Sequence, residues 1–318
     1  MGFPSTSVES SIPIGLQNEN SPTKTLKILA PGGFTTAHGG RLDTVDFFNP
    51  YSETNTCKPK PNYPKMVEAH CGVGTLFCGG DAAFEGDINN CYELVDDEWI
   101  ERSSLSYQRS YSSCIALSNS STWLFGGFGP DLIIAAETSE MKIDSDSEFG
   151  WSSRLPEGMS RTCVAKINDT HLFIAGNWYH HPKRAYLVDT SGDTFYFSRL
   201  PDMKEFRESA GCGSIDGEYL IVAGAFQRDL RNTTEIFSLK DNEWVDGPVM
   251  PRGFWAGGYI SDDKHPLILV GGDDEINYYR DDVMEYMKET NTFELLPGKL
   301  TWPKSQMTAT AVYTEEDC

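Results

Sequence analysis

The sequence predicts an all-β fold, a β-propeller of six blades closed by its own C-terminal strand. Three observations predict it. Six strand-like runs, "LKILAPGG", "TLFCGG", "TWLFGG", "HLFIAG", "EYLIVAG" and "PLILVGG", end at Gly33, Gly80, Gly127, Gly176, Gly224 and Gly272, with gaps of 47, 47, 49, 48 and 48 residues. A period of this length, carried by short apolar runs, is that of supersecondary units stacked around an axis. The second observation is that the rest of each period divides into short strands separated by Gly, Asn, Asp and Pro turns. The third is at the ends. Only one strand precedes the first doublet, and the small-residue strand missing there recurs as "QMTATAVY" at 306–313.

Within a period, the apolar run ends in a glycine doublet that allows positive φ and close backbone approach. The first glycine is replaced by Ala175 and Ala223 in the fourth and fifth copies, so the second position is read as the constant one. A turn then leads to a second run ("TVDFF", "NNCYEL", "TSEMKI", "RAYLVD", "TEIFSL", "DVMEYM"). The next strand carries Cys57, Trp99, Trp151, Phe195, Trp244 or Phe293, a filler between neighbouring blades. A Leu-Pro turn and a strand of small residues complete the unit. Closing the ring with 306–313 removes the unpaired edges of an open sheet.

The doublet, the strand that follows and the Trp-bearing fourth strand resemble the kelch repeat over roughly residues 25–314. The resemblance implies a six-bladed kelch-type β-propeller, while the polar, Ser/Pro-rich composition of 1–24 reads as a disordered tail and 315–318 as a short acidic tail. It implies fold far more than activity, because kelch propellers include ubiquitin-ligase receptors, actin-associated proteins and a few enzymes. The BTB, BACK or F-box domains of the ligase receptors have no counterpart before residue 25.

The formal charge is −21, from 26 Lys plus Arg against 47 Asp plus Glu. That balance disfavours nucleic acid and anionic membranes, since phosphate neutralisation needs a basic face, and no run reaches the length of a membrane span. The first 25 residues are polar and lack the apolar core of a secretory signal. Cys114, Cys163 and Cys212 recur 49 residues apart and Cys71 is their counterpart in the second blade. On the blade pattern they are buried free thiols, which indicates cytoplasm, with the nucleus as the other reducing choice. Cys78 and Cys91, on neighbouring strands of one blade, are the one candidate bridge. Sequons start at Asn119, Asn168 and Asn232 and carry no weight without a signal.

No phosphate loop, nucleophile elbow, zinc spacing or EF-hand is present, and neither a metal nor a cofactor is expected. His38, His180 and His181 fall in turns of one face but read as polar loop residues. The candidate site is a binding surface. One cation stands at each entry to an innermost strand: Lys65, Arg109, Arg161, Arg207, Arg252 and Lys304. Phe34, Phe84, Phe128, Trp178, Phe226 and Tyr278 or Tyr279 follow the doublets. Strand alternation puts both sets of turns on one face, with Ser110, Ser160, Ser209 and Ser305 beside the cations. Arg forks hold carboxylates and aromatics supply desolvated contact area. The expected function is non-enzymatic binding of a protein or acidic peptide, with a ubiquitin-ligase component on another chain as a further partner. The alternative is a small enzyme working on a sugar in the central opening, similar to sialic-acid mutarotases.

Overall fold

The computed structural model describes residues 24–118, 121–129, 137–141, 151–178, 181–274, 279–315 and 318. The chain is all-β among these residues, apart from 3-10 turns at Thr36–His38 and Arg228–Leu230. Its strands form antiparallel meanders consistent with a β-propeller. Strands Cys163–Asn168, His171–Ala175, Ala185–Asp189 and Tyr196–Arg199 pair in that order, and four other sheets repeat the scheme. In a three-stranded sheet Thr25–Pro31 lies between Val45–Phe48 and the C-terminal strand Thr310–Thr314, in a register that sets Thr25 against Thr314 and Leu29 against Thr310.

The innermost strands enter through a backbone conformation that recurs once per sheet. Ala69, Tyr111, Arg161, Ser209, Ala256 and Gln306 all lie at φ between 51° and 54°. Their backbones form a closed circle of hydrogen bonds. Tyr111 N donates to Ala69 O, Arg161 N to Tyr111 O, Ser209 N to Arg161 O and Ala256 N to Ser209 O. Gln306 N then donates to Ala256 O, and Ala69 N returns to Gln306 O, all at 2.5–3.0 Å. Left-handed backbone at a non-glycine residue carries strain that only an over-determined setting maintains. Here each strained residue both gives and receives a bond of the circle.

Two residues before each ring residue, a carbonyl faces the glycine turn of the sheet before it. Gly33, Gly80, Gly127, Ala225 and Gly272 donate their N–H groups to Val67, Arg109, Met159, Phe254 and Lys304. The residues just before these donors, Gly32, Gly79, Gly126, Gly224 and Gly271, have φ of +59° to +83°, and a Cβ on any of them would overlap that carbonyl. Gly176 has the same relation to the Arg207 carbonyl. The constant glycine is therefore the first of the doublet, and Asn177 and Ala225 occupy the second position in the fourth and fifth copies. The sequence reading, which made Ala175 and Ala223 the substitutes, is corrected by one residue there.

Apolar side chains of adjacent sheets interlock in several clusters, one of which joins Phe173, Leu220, Phe237 and Trp244. The indoles also bond between sheets. Trp99 Nε1 donates to Pro61 O at 3.0 Å and Trp244 Nε1 to Pro201 O at 2.8 Å.

The cysteines overturn the free-thiol expectation. All eight are paired, as Cys57–Cys318, Cys71–Cys114, Cys78–Cys91 and Cys163–Cys212. The suspected Cys78–Cys91 bridge is present, between residues directly opposed in the ladder. Cys114, Cys163 and Cys212 are not thiols, because the innermost strands of successive sheets abut around the axis. There the Cα atoms lie 5.6 Å apart for Cys71–Cys114 and 5.8 Å for Cys163–Cys212, within bridging range. Cys57, read as an aromatic stand-in, fastens the chain end beside the C-terminal strand. The cysteine argument for a reducing compartment falls with these pairings. No helix of the described residues is long and apolar enough to cross a membrane.

Candidate functional site at the mouth of the central cavity

A cavity of about 900 Å³ runs along the axis inside the innermost strands, and all six ring residues line it. Relative to that ring, the six sequence cations occupy three different positions. Arg109, Arg207 and Lys304 stand two residues before their ring residue, Lys65 and Arg252 four before, and Arg161 is itself a ring residue. They are not one ring of cations, and their fates differ.

Arg109, Arg207 and Lys304 are 2%, 1% and 0% exposed and spent on internal partners. Arg109 Nη1 donates to Gly126 O at 3.1 Å, its Nη2 bonds the Tyr107 hydroxyl, and burial lowers its pKa to about 10. Arg207 bonds Glu235 at 3.0 Å and the carbonyls of Gly224 and Thr233 at 3.1 Å. Lys304 reaches Ala30 O at 2.9 Å and Asp46 at 2.8 Å. Burial alone would raise the Asp46 carboxyl, but the Lys304 charge and its hydrogen bonds prevail and hold it below the usual range. Lys65 pairs with Glu85 at 2.9 Å on the periphery, and Arg252 is exposed beside Arg228, Arg231 and Asp274.

Arg161 belongs to the mouth. Its guanidinium lies 4.1 Å over the Tyr111 ring and 5.9 Å from the Trp178 ring, and Nη1 donates to Glu208 Oε1 at 3.1 Å. Phe128 packs edge-on against both Tyr111 and Trp178, at 5.7 and 5.1 Å. Tyr111 bonds Gln306 across the opening. Of the remaining aromatics, Phe34 sits 6.1 Å from Tyr279, and Phe226 lies 5.0 Å from Trp255. Phe84 stands wholly exposed, at 103%. Tyr278, His180 and Asn119 fall outside the described residues.

Two carboxylates beside the ring, outside the lining of the cavity itself, were not singled out in the sequence. Glu68 and Glu208 each immediately precede a ring residue. Glu68 lies 3.1 Å from Arg41, which also pairs with Asp81. Burial raises Glu68 strongly, Arg41 opposes this, Asp81 adds to it and Arg161 opposes it, leaving the carboxyl at about 7. Burial likewise raises Glu208 against the pull of Arg161. Glu68 Oε2, Arg41 Nε and Arg161 Nε are buried without a hydrogen-bond partner, a costly arrangement unless something else supplies one. No sequence signal marks these residues, since Glu68 and Glu208 are far apart along the chain and share no local motif. The setting holds a proton carrier poised near neutrality, a second carboxylate and two fixed cations, equipment for acid–base chemistry on an anion.

No family model matches the chain, and no curated protein matches it in sequence. Among solved structures it is similar to that of YjhT, with a TM-score of 0.66 and 12% identity over 87% of this chain and 98% of that one. At that identity the likeness shows the fold alone.

Proposed function

We propose that the mouth binds an anionic sugar and moves protons on it, as an enzyme of the mutarotase kind. The reading rests on one observation: Glu68, poised near pH 7, shares a partly desolvated cluster with Arg161 and Glu208, and both Glu68 and Arg161 have an unpartnered buried atom there. The similarity of fold to YjhT supports the propeller frame on which this site is set, and nothing finer. In a mutarotase reaction one group takes the anomeric hydroxyl proton while another protonates the ring oxygen. The ring C–O bond breaks and re-forms on the other face with no net oxidation. Glu68 and Glu208 are the groups able to exchange those protons, and Arg161 Nε is the donor left for the ligand's carboxylate. The finer architecture belongs to the same proposal: six kelch-like blades closed by the C-terminal strand, supported by the hydrogen-bonded circle and by the pairing of Thr310–Thr314 with Thr25–Pro31.

The test is anomer exchange of a sialic acid followed by NMR at pH 7 with the full chain. Acid–base catalysis of this kind contributes about 10²–10⁴-fold, and Glu68→Gln should remove most of it. Exchange at the uncatalysed rate with every sugar acid offered overturns the reading. Binding of a protein or acidic peptide on the same face is the second reading, and the full exposure of Phe84 favours it. An acidic peptide whose affinity falls on Phe84→Ala, alongside unchanged sugar exchange, would select it.

A further inference from the structure

We propose that this chain matures in an oxidising, glycan-adding compartment, and that Asn168 and Asn232 carry N-linked glycans. Two independent observations converge. The first is that every cysteine is paired and that the pairs sit at joints of the architecture. Cys71–Cys114 and Cys163–Cys212 tie innermost strands of successive sheets, and Cys57–Cys318 ties the chain end beside the strand that pairs with Thr25–Pro31. Disulfides at such joints persist where the surroundings are oxidising, whereas a cytosol keeps thiols reduced. Forming four of them from eight thiols releases eight protons and eight electrons, which pass to a protein disulfide oxidant of that compartment.

The second observation is the placement of the sequons. An N-x-Ser/Thr acceptor must lie on the surface of the finished protein. Asn168 is exposed, at the end of strand Cys163–Asn168 before the turn to His171. Its Oδ1 accepts from Thr170 N at 3.0 Å and from the Thr170 hydroxyl at 3.1 Å, so the sequon's two functional groups already meet. Asn232 is also exposed, ahead of strand Thr234–Ser238. The Thr234 hydroxyl is different, since it donates to Pro248 O at 2.7 Å and the residue is 3% exposed. Recognition of the Asn232 sequon therefore precedes folding of its sheet, whereas the Asn168 sequon stays accessible in the folded chain. In each case Asn Nδ2 bonds to the anomeric carbon of an oligosaccharyl diphosphate donor. The carbon–oxygen bond to the diphosphate breaks, the diphosphate leaves with the electron pair, and the amide proton goes to base.

The test uses the natural protein, isolated from its source with thiols blocked at lysis and digested without reductant. Mass spectrometry should show no blocked cysteine, cross-linked peptides for the four pairs, and, after peptide-N-glycosidase, aspartate at 168 and 232. In secretory expression of the full chain, Asn168→Gln and Asn232→Gln should each remove one step of gel mobility shift. Blocked thiols at Cys71, Cys114, Cys163 and Cys212 would overturn the proposal, as would unmodified asparagine at both positions.

Discussion

Replacing Arg207 with methionine tests whether the inter-sheet cations are structural. The guanidinium is 1% exposed and is bonded to Glu235, itself 1% exposed, and to two backbone carbonyls. Methionine keeps the aliphatic stem but removes the paired guanidinium, leaving Glu235 with the N–H groups of Lys204 and Glu205 as hydrogen-bond donors, at 2.6 and 3.1 Å. Breaking one partner out of a buried ion pair costs about 3–5 kcal/mol. The Arg207→Met, Glu235→Leu double variant removes the stranded carboxylate and should recover part of that loss. It should not recover all of it, because the two backbone donors and the Gly224 and Thr233 carbonyls lose partners. Urea denaturation followed by tryptophan fluorescence measures Arg207→Met, Glu235→Leu and the double, and the double-mutant cycle isolates the pair. A single variant within about 1 kcal/mol of the parent, with ligand binding impaired, would mean that Arg207 faces a ligand and that the burial argument fails.

Arg161→Ala should act oppositely, lowering ligand affinity or turnover at least about tenfold, equivalent to about 1.4 kcal/mol, with a smaller change in urea midpoint than Arg207→Met; the two measurements on one preparation decide it. Glu68 carries a pH signature: its carboxyl is raised to about 7, so the folded chain holds a proton that the unfolded chain releases from pH 4.5 upward. The stability this proton brings is complete below about pH 4.5 and is lost as pH rises through 7, so Glu68→Gln should flatten the stability–pH curve over that window. The Cys57–Cys318 bridge closes a loop spanning 261 positions, and Cys318→Ser should cost about 2–5 kcal/mol by freeing the unfolded chain, read from urea midpoints without reductant.

The fold was legible because a repeated steric demand writes a repeated residue. A glycine must stand wherever a Cβ would meet the carbonyl of the next sheet's entry, and the sequence spacing reports that demand. The site was less legible because its frame is a backbone position that no one residue type marks: alanine, tyrosine, arginine, serine, alanine and glutamine. Chemistry at the mouth comes from that variation, and a search for recurrence passes over it. Recurrence also misled where it matched residue type without matching position, grouping Arg161 with Arg109 and Arg207.

The two corrections have one physical origin. Spacing along the chain measures the distance from one copy to the next, but it does not say which atoms of the two copies touch. Cysteines 49 residues apart appeared separated on different units, yet innermost strands converge on the axis, and Cys163 and Cys212 meet there. Ala175 and Gly176 looked like a degraded doublet by alignment, until the contact with the Arg207 carbonyl assigned Gly176 to the first position. Gly176→Ala should therefore be the harmful change, because it sets a Cβ against fixed backbone at φ +75°, a conformation that side chains rarely adopt. Asn177→Gly costs something different: it loses the Asn177 side-chain bonds to Ser160 N at 3.1 Å and Gly158 O at 3.0 Å, with no steric conflict. If urea midpoints showed Gly176→Ala to be as stable as the parent, the circle of carbonyl contacts would not be what fixes the glycine period.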